Sequence, residues 1–249
     1  MKRPVPPVQL VPLVRTRRRL IGTLLLATTG LAWGAGPAVD ATAGTSLPAL
    51  AAQFRVTLTR PGQPAQQQTW QLTRSEALIT WLKGSGTEEL WRRDRSGIRL
   101  ERVMRADRHV IDYSAGELRA LAVAVDWADL ATLFPADQLA QLTARPLRPS
   151  AGKTQHWAGR IGHDQVDLLW DPVAQLPLRL ARRGPGGRVL FERTALRAVA
   201  PAHWPQAGAG SDDFQRVDAS DFGDMAHNPV VRKAQAWDAR AGWRQAHSH

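Results

Sequence analysis

The sequence predicts an α+β fold with an antiparallel β-sheet, helices on one face of that sheet and a C-terminal helical tail. Apolar residues recur with period two over residues 52–114 and again over 155–194, which is typical of strands with one apolar face. Between these two stretches, residues 114–142 carry apolar side chains at helical spacing. The order of strands, helices and strands indicates one sheet partly covered by helices.

The composition fits a folded protein of one or two domains. The chain has 249 residues, 43% of them hydrophobic, and no cysteine. This apolar content excludes disorder throughout the chain. The lack of cysteine excludes a disulfide framework, a thiolate metal site and a cysteine nucleophile.

Residues 1–43 have the pattern of a cleaved export signal. Six basic residues precede the apolar run Leu20–Trp33, and no acidic residue occurs before Asp40. The run is shorter than the roughly 20 residues that a transmembrane helix needs. Ala41 and Ala43 form a processing site of the A-x-A type, and Gly34 and Gly36 offer earlier ones. We therefore expect a periplasmic protein whose signal peptide is removed.

The export route has two interpretations. Residues 16–22, Thr-Arg-Arg-Arg-Leu-Ile-Gly, resemble a twin-arginine signal. An ordinary Sec signal with an Arg-rich start has the same composition, and both routes stay open at this point.

The basic charge lies partly in the export signal. The whole chain has a net charge of +11, but removing residues 1–43 leaves 27 basic against 21 acidic residues. The remaining charge is dispersed along the chain. A nucleic-acid partner is therefore not expected.

The first period-two stretch predicts a meander of six strands. Phe54, Val56 and Leu58 alternate with polar residues before the turn at 60–62. Five more runs follow, and Gly, Pro or charged residues separate them. They are Trp70–Leu72, Ile79–Trp81, Leu90–Arg93, Ile98–Met104 and His109–Tyr113. Such a sheet usually has one apolar face and one wet face.

Helical signals follow this meander. Ser114 and Glu117 have the spacing of a capping box, before a stripe at Leu118, Leu121, Ala122 and Val125. Asp126 marks a second helix start, with apolar residues up to Pro135, and a third short turn carries Leu139 and Leu142. Because these helices are apolar on one side, we expect them to cover the sheet.

The second period-two stretch predicts four more strands, at 155–161, 165–170, 176–181 and 188–194. Asp171-Pro172 and the glycine-rich residues 184–187 supply the hairpin turns. We therefore assign residues 50–200 to a single sheet domain.

Residues 201–249 are predicted to form a linker and a helical tail. The linker at 200–210 is rich in Pro, Ala and Gly. Asn228-Pro229 is a helix start, and Val230, Ala234, Trp237 and Ala241 lie roughly on one face. Since that stripe is narrow, we expect the tail to be mobile in the free protein and to fold on a protein partner through residues 211–249.

One phrase in the second half resembles a known family. Residues 166–180, Val-Asp-Leu-Leu-Trp-Asp-Pro-Val-Ala-Gln-Leu-Pro-Leu-Arg-Leu, are similar to a strand, Asp-Pro turn and strand of LolA-type periplasmic carriers of outer-membrane lipoproteins. The resemblance covers about residues 50–200. It implies a curved half-barrel whose concave face is covered by the central helices, with an apolar cavity for acyl chains. The tail after residue 210 has no counterpart in this family.

Tryptophan is the strongest functional signal in the chain. Nine of the ten tryptophans follow the export signal, and each offers a large apolar surface with one hydrogen-bond donor. Such side chains either line a ligand cavity or fill a core. The spacing of the apolar residues does not distinguish between these two arrangements. The candidate ligand-binding residues are Trp70, Trp81, Trp91, Trp127, Leu130, Phe134, Trp157, Trp170 and Leu178.

The sequence gives no support for an enzyme or a cofactor. It lacks the nucleophile elbow, the H-E-x-x-H motif, the phosphate-binding loop and the dinucleotide fingerprint. We therefore expect a binding protein for an acyl chain or a lipidated protein, with only transient or peripheral membrane contact. The alternative is an accessory or assembly factor for a periplasmic redox or metal system. It would act through the acidic tail and a weak metal site at His247 and His249.

Overall fold

The computed structural model describes residues 47–84, 86–123, 125–147, 152–241 and 243. The predicted export signal and the terminal histidines, His247 and His249, lie outside these residues. Among the described residues, none of the helices has the length and apolar content needed to cross a membrane.

Twelve strands form one curved, unclosed sheet. The first six strands are a meander of antiparallel neighbours, as the period-two pattern predicts. They are β1 (Leu50–Thr59), β2 (Gln66–Arg74), β3 (Leu78–Lys83), β4 (Thr87–Asp94), β5 (Gly97–Met104) and β6 (His109–Tyr113).

The remaining strands extend the sheet on both sides of this meander. Strands β7 to β11 run antiparallel on the free side of β1, in the order β1-β11-β10-β9-β8-β7. Strand β12 pairs in parallel with β6 at the other end. Their bounds are β7 (Thr143–Arg145), β8 (Gln155–Ile161), β9 (Asp164–Asp171), β10 (Leu176–Gly184), β11 (Gly187–Arg197) and β12 (Gln215–Asp218).

Three short helices connect the two halves of the sheet. They are α1 (Ala115–Ala120), α2 (Trp127–Thr132) and α3 (Ala136–Leu139). The predicted capping box at Ser114 and Glu117 is present, and the Asp126 side chain caps α2. Helix α1 is shorter than its stripe indicates, because Ala122 has a positive φ of 55°. The predicted stripe therefore continues beyond the end of the helix.

A single large core lies between the helices and one face of the sheet, which we call the inner face. Leu118, Leu121 and Phe134 belong to the same buried cluster as Phe54, Leu72 and Leu100. The predicted α+β class and the open, mostly antiparallel sheet are thus confirmed.

The opposite face of the sheet is only partly exposed to solvent. Leu90, Val103 and Val110 form a second buried cluster with Phe214. The chain after β11 reaches this face, where the Gly208 amide donates to Glu88 and Arg105 donates to the carbonyl of Ala209. The predicted linker is therefore in contact with the sheet, and both faces of β4 to β6 are covered.

The C-terminal helix α4 (Pro229–Arg240) begins where Asn228-Pro229 predicts it. Its Val231 and Ala234 side chains have no exposed surface, and Trp237 and Trp243 are buried in the main core. This packing contradicts the prediction of a mobile tail. All four residues of the predicted stripe are buried, and Val231 and Trp243 widen the apolar face beyond it.

Candidate functional site

The inner face carries an aromatic cluster made of Phe54, Trp70, Trp81 and Phe191. The Trp70 ring meets Trp81 edge-on at a centroid distance of 6.1 Å and Phe191 at 5.5 Å. Phe54 lies 6.4 Å from Trp81. All four side chains are buried. Edge-to-face pairs of this kind add stability beyond the burial of apolar area.

Most of the predicted ligand-binding residues are brought together in this core. Trp91, Trp127, Phe134 and Trp170 are buried members of the same cluster, and Leu130 and Trp157 are partly buried against it. The Trp157 Nε1 donor is buried without a hydrogen-bond partner among the described residues. A role of these side chains in holding a ligand stays a prediction.

Leu178 differs from the other predicted site residues. The pairing register between β9 and β10 shifts between Pro177 and Arg179, so Leu178 occupies a bulge. It is half-buried and is not part of the main core cluster. A bulge interrupts the alternation of faces along a strand, and the regular Leu176, Leu178, Leu180 pattern hides this interruption.

Charged side chains cross the inner face beside the aromatic cluster. Lys83 Nζ lies 2.7 Å from Glu89 Oε2, and the Trp91 indole donates to the same oxygen. Glu89 pairs in register with Arg102, and Arg102 Nη1 donates to Asp238 Oδ1 of α4 at 2.7 Å. We call Lys83, Glu89, Arg102 and Asp238 the charge ladder. It joins strands β3, β4 and β5 to the C-terminal helix.

Burial and neighbouring charges shift the pKa values of Glu89 and of Tyr113, which lies beside the ladder. Burial raises the pKa of the Glu89 carboxyl, but Lys83 and Arg102 outweigh burial and hold it below its usual value. Burial also raises the pKa of Tyr113, whose hydroxyl donates to Asp238. Tyr113 is therefore a neutral hydrogen-bond donor at physiological pH.

Arg74 is a second buried cation on the inner face. Its guanidinium donates to the carbonyls of Pro48 and Ala131 at 2.9 and 2.7 Å, and also to those of Ala174 and Gln175. Burial lowers the pKa of Arg74 to about 10. These contacts join β2 to the segment before β1, to helix α2 and to the turn between β9 and β10.

Three cations on the inner face, Arg74, Lys83 and Arg102, were not among the predicted site residues. Each of them is in phase with the apolar residues of its own strand, as Arg74 is with Trp70 and Leu72. Period two therefore places these cations on the buried face, and this signal was available in the sequence.

An apolar cleft opens where β1 begins and β11 ends. It has a volume of about 290 Å³ and is lined by residues 48–50, Asp171, Val173, Ala174 and residues 196–198. We call it the β1/β11 cleft. Val173, at its mouth, is 65% exposed. None of the predicted tryptophans lines this cleft.

The described residues contain no group of three or more His, Cys, Asp or Glu side chains that could hold a metal ion. The predicted ligands His247 and His249 lie outside these residues. The accessory-factor alternative depends on the acidic tail and on these two histidines, and it is not favoured.

Comparisons with known proteins give a weak likeness of fold. No protein-family model matches the chain, and no curated protein matches it. Among solved structures, a crystal structure of MucB is 20% identical, with 66% of this chain and 58% of that chain covered and a TM-score of 0.33. The MucA/MucB complex of Pseudomonas aeruginosa is 19% identical, covering 62% and 53% of the two chains, with a TM-score of 0.34.

A LolA superfamily protein from Nitrosomonas europaea is 10% identical and has a TM-score of 0.25. The match covers 63% of this chain and 89% of that one. The chain spans little more than half the length of the MucB chains it matches. The comparisons thus give this chain a weak resemblance to LolA-type structures.

Proposed function

We propose that the protein is an exported, non-enzymatic binding protein of the periplasm that holds a hydrophobic ligand against the inner face of its sheet. The ligand class is an acyl chain, free or on a lipidated protein. The observation that carries this proposal is the aromatic cluster on one face of an open sheet, with short helices in the same core. Export and periplasmic location rest on residues 1–43 alone.

The central helices are short enough for a ligand to displace them from the sheet. Helices α1 and α2 have six residues each and α3 has four, whereas an isolated helix needs roughly 12–15 residues to be even marginally stable in water. Their structure therefore depends on packing against the sheet. Displacing them would expose Trp127, Phe134 and the part of the inner face that these helices cover, without breaking any pairing between strands.

The proposal is tested by quenching tryptophan fluorescence in the full chain with a brominated fatty acid. Bromine quenches only at short range, so binding at the aromatic cluster would lower the emission. The same fatty acid without bromine is the control for indirect effects. We expect Trp81→Phe to reduce the emission intensity that is lost on binding. Trp204 lies outside the main core cluster, so Trp204→Phe should leave this loss unchanged. Equal emission with both fatty acids would contradict the proposal.

A further inference from the structure

The β1/β11 cleft lies beside an excess of buried positive charge. Arg193 Nη2 donates to Asp171 Oδ2 at 2.7 Å, and Asp171 lines the cleft. Arg74 donates to the carbonyls of Pro48 and Ala174, two further lining residues. Each guanidinium therefore donates a hydrogen bond directly to a residue that lines the cleft.

Asp171 does not balance these cations. Its Oδ1 accepts from the amides of Val173 and Ala174, and its Oδ2 accepts from Arg193. Arg74 makes its hydrogen bonds to carbonyls, and the exposed Arg197 adds a third cation to the lining. With one carboxylate and three guanidinium groups, the cleft and its wall have an excess of two positive charges.

One donor in this group lacks a partner. The Arg193 side chain is only 8% exposed, and its Nη1 is buried with no hydrogen-bond partner among the described residues. A buried donor of this kind normally pairs with a protein group, a water or a ligand. On a charged group the missing hydrogen bond costs more than on a neutral one.

We propose that the β1/β11 cleft is a second binding site, for a short apolar chain that ends in a carboxylate. Leu50, Ala174 and Leu196 would contact the chain, and the carboxylate would pair with Arg197, the cation in the lining. Arg74 and Arg193, behind the lining, would add positive charge. The volume of about 290 Å³ is at the lower end of the range for ligand sites, so a short chain is enough to fill the cleft. This site is separate from the aromatic cluster.

The test uses octanoate as the probe and octan-1-ol as the probe of equal chain length without charge. Binding to the full chain is followed by the NMR shifts of the Val173 and Ala174 amides. The indole resonances of Trp70 and Trp81 report the aromatic cluster separately. We expect octanoate to shift the two amides with an affinity about tenfold or more above that of octan-1-ol, the effect of one charge-assisted hydrogen bond.

Two variants at the exposed Val173, similar in side-chain shape but different in charge, isolate the effect of charge on binding. Val173→Asp places a carboxylate at the mouth of the cleft and should weaken octanoate binding at least about fivefold relative to Val173→Asn, because like charges repel. Binding of octan-1-ol should differ little between the two variants. Equal affinity of octanoate for both variants, or equal affinity of the two probes for the unmodified chain, would overturn the proposal.

The test also distinguishes this site from the proposed function. Octanoate that shifts only the indoles would overturn the cleft site and leave the aromatic cluster as the binding surface. Octanoate that shifts only the two amides would support the cleft alone.

Discussion

Arg102 and Asp238 are 136 residues apart in the chain and form an ion pair of 2.7 Å in the interior. The two side chains are 4% and 3% exposed. Tyr113 donates to the same carboxylate, and the Arg102 guanidinium lies 5.1 Å from the Trp243 ring centroid. This pair joins the C-terminal helix to β5 of the meander.

Replacing Asp238 should therefore destabilise the whole protein. Asp238→Asn preserves the shape but leaves Arg102 buried opposite a neutral group, which typically costs about 3 kcal/mol or more in unfolding free energy. Urea denaturation measures this loss. The control is Asp213→Asn, which breaks an exposed pair with Arg108 and should cost less than about 1 kcal/mol. Similar losses in both variants would contradict the interior role of the pair.

Helix α4 should be strongly protected from hydrogen exchange in the isolated protein. Its inward residues Val231, Ala234 and Trp237 are buried, so its amides can exchange only when the helix detaches from the core. We expect amides 233–239 to exchange at least about a hundredfold more slowly than those of the exposed turns at 202–206. Rapid exchange in α4 would restore the mobile tail that the sequence predicts.

Arg74 should not be replaceable by lysine. A guanidinium offers five donors in a planar fork, whereas an ammonium group is a compact point charge with three. In Arg74→Lys, some of the four carbonyl oxygens lose their hydrogen-bond donor. We expect the free energy of unfolding to fall by about 2 kcal/mol. Arg99→Lys, at an exposed position of β5, is the matched control and should change stability by less than about 0.5 kcal/mol.

Asp171 should contribute stability that disappears in acid. Burial raises its pKa, but hydrogen bonds from Ala174 and Arg193 outweigh burial and hold the pKa below its usual value. Its contribution is therefore complete above the unfolded pKa of about 3.9 and is lost as the pH falls through the lower folded value. The stability difference between the native chain and Asp171→Asn should be constant from about pH 5 to 7 and shrink below about pH 4. A difference that grows in acid would contradict this assignment.

Two neighbouring glycines, Gly186 in the turn after β10 and Gly187 at the start of β11, should respond differently to replacement by alanine. Gly187 has a φ of 123°, and a Cβ there would meet the Thr59 carbonyl oxygen at 2.1 Å. Gly187→Ala should lower the melting temperature and cost about 2 kcal/mol or more. A Cβ on Gly186 meets nothing within 4 Å, so Gly186→Ala should stay within about 0.5 kcal/mol of the native chain. Equal effects would contradict the close approach of Gly187 to β1.

Local sequence patterns were sufficient to predict most of the strands and the starts of the helices. Phe54, Val56 and Leu58 alternate cleanly, and Asp126 and Asn228 cap their helices through contacts within three residues. Long-range contacts were not accessible in this way. Phe214 covers Val103 and Val110 from a distant segment, and Asp238 pairs with Arg102 across most of the described chain. Asp238 lies four residues after Ala234 and three before Ala241, on the predicted stripe of α4, but its partner Arg102 could not be identified from the local pattern.

Some residues of the candidate site could likewise be predicted from local sequence patterns, and others could not. The tryptophans on regular strands could be placed on one face from period two, but the bulge at Leu178 could not. The β1/β11 cleft joins the start of one strand, the end of another and a turn. Its position depends on the pairing of β1 with β11, which the local pattern does not specify.

That pairing has a consequence for the order of folding. Strand β1 is the first along the chain, but it lies in the middle of the sheet between β2 and β11. Strands β2 to β6 can each pair with the strand made just before, whereas the second edge of β1 has no partner until β11 is present. Pairing between strands so distant in sequence is slow, because a long loop must close first. We therefore expect the joining of β1 to β11 to limit the rate of folding, with the β1 edge open to other extended chains until then.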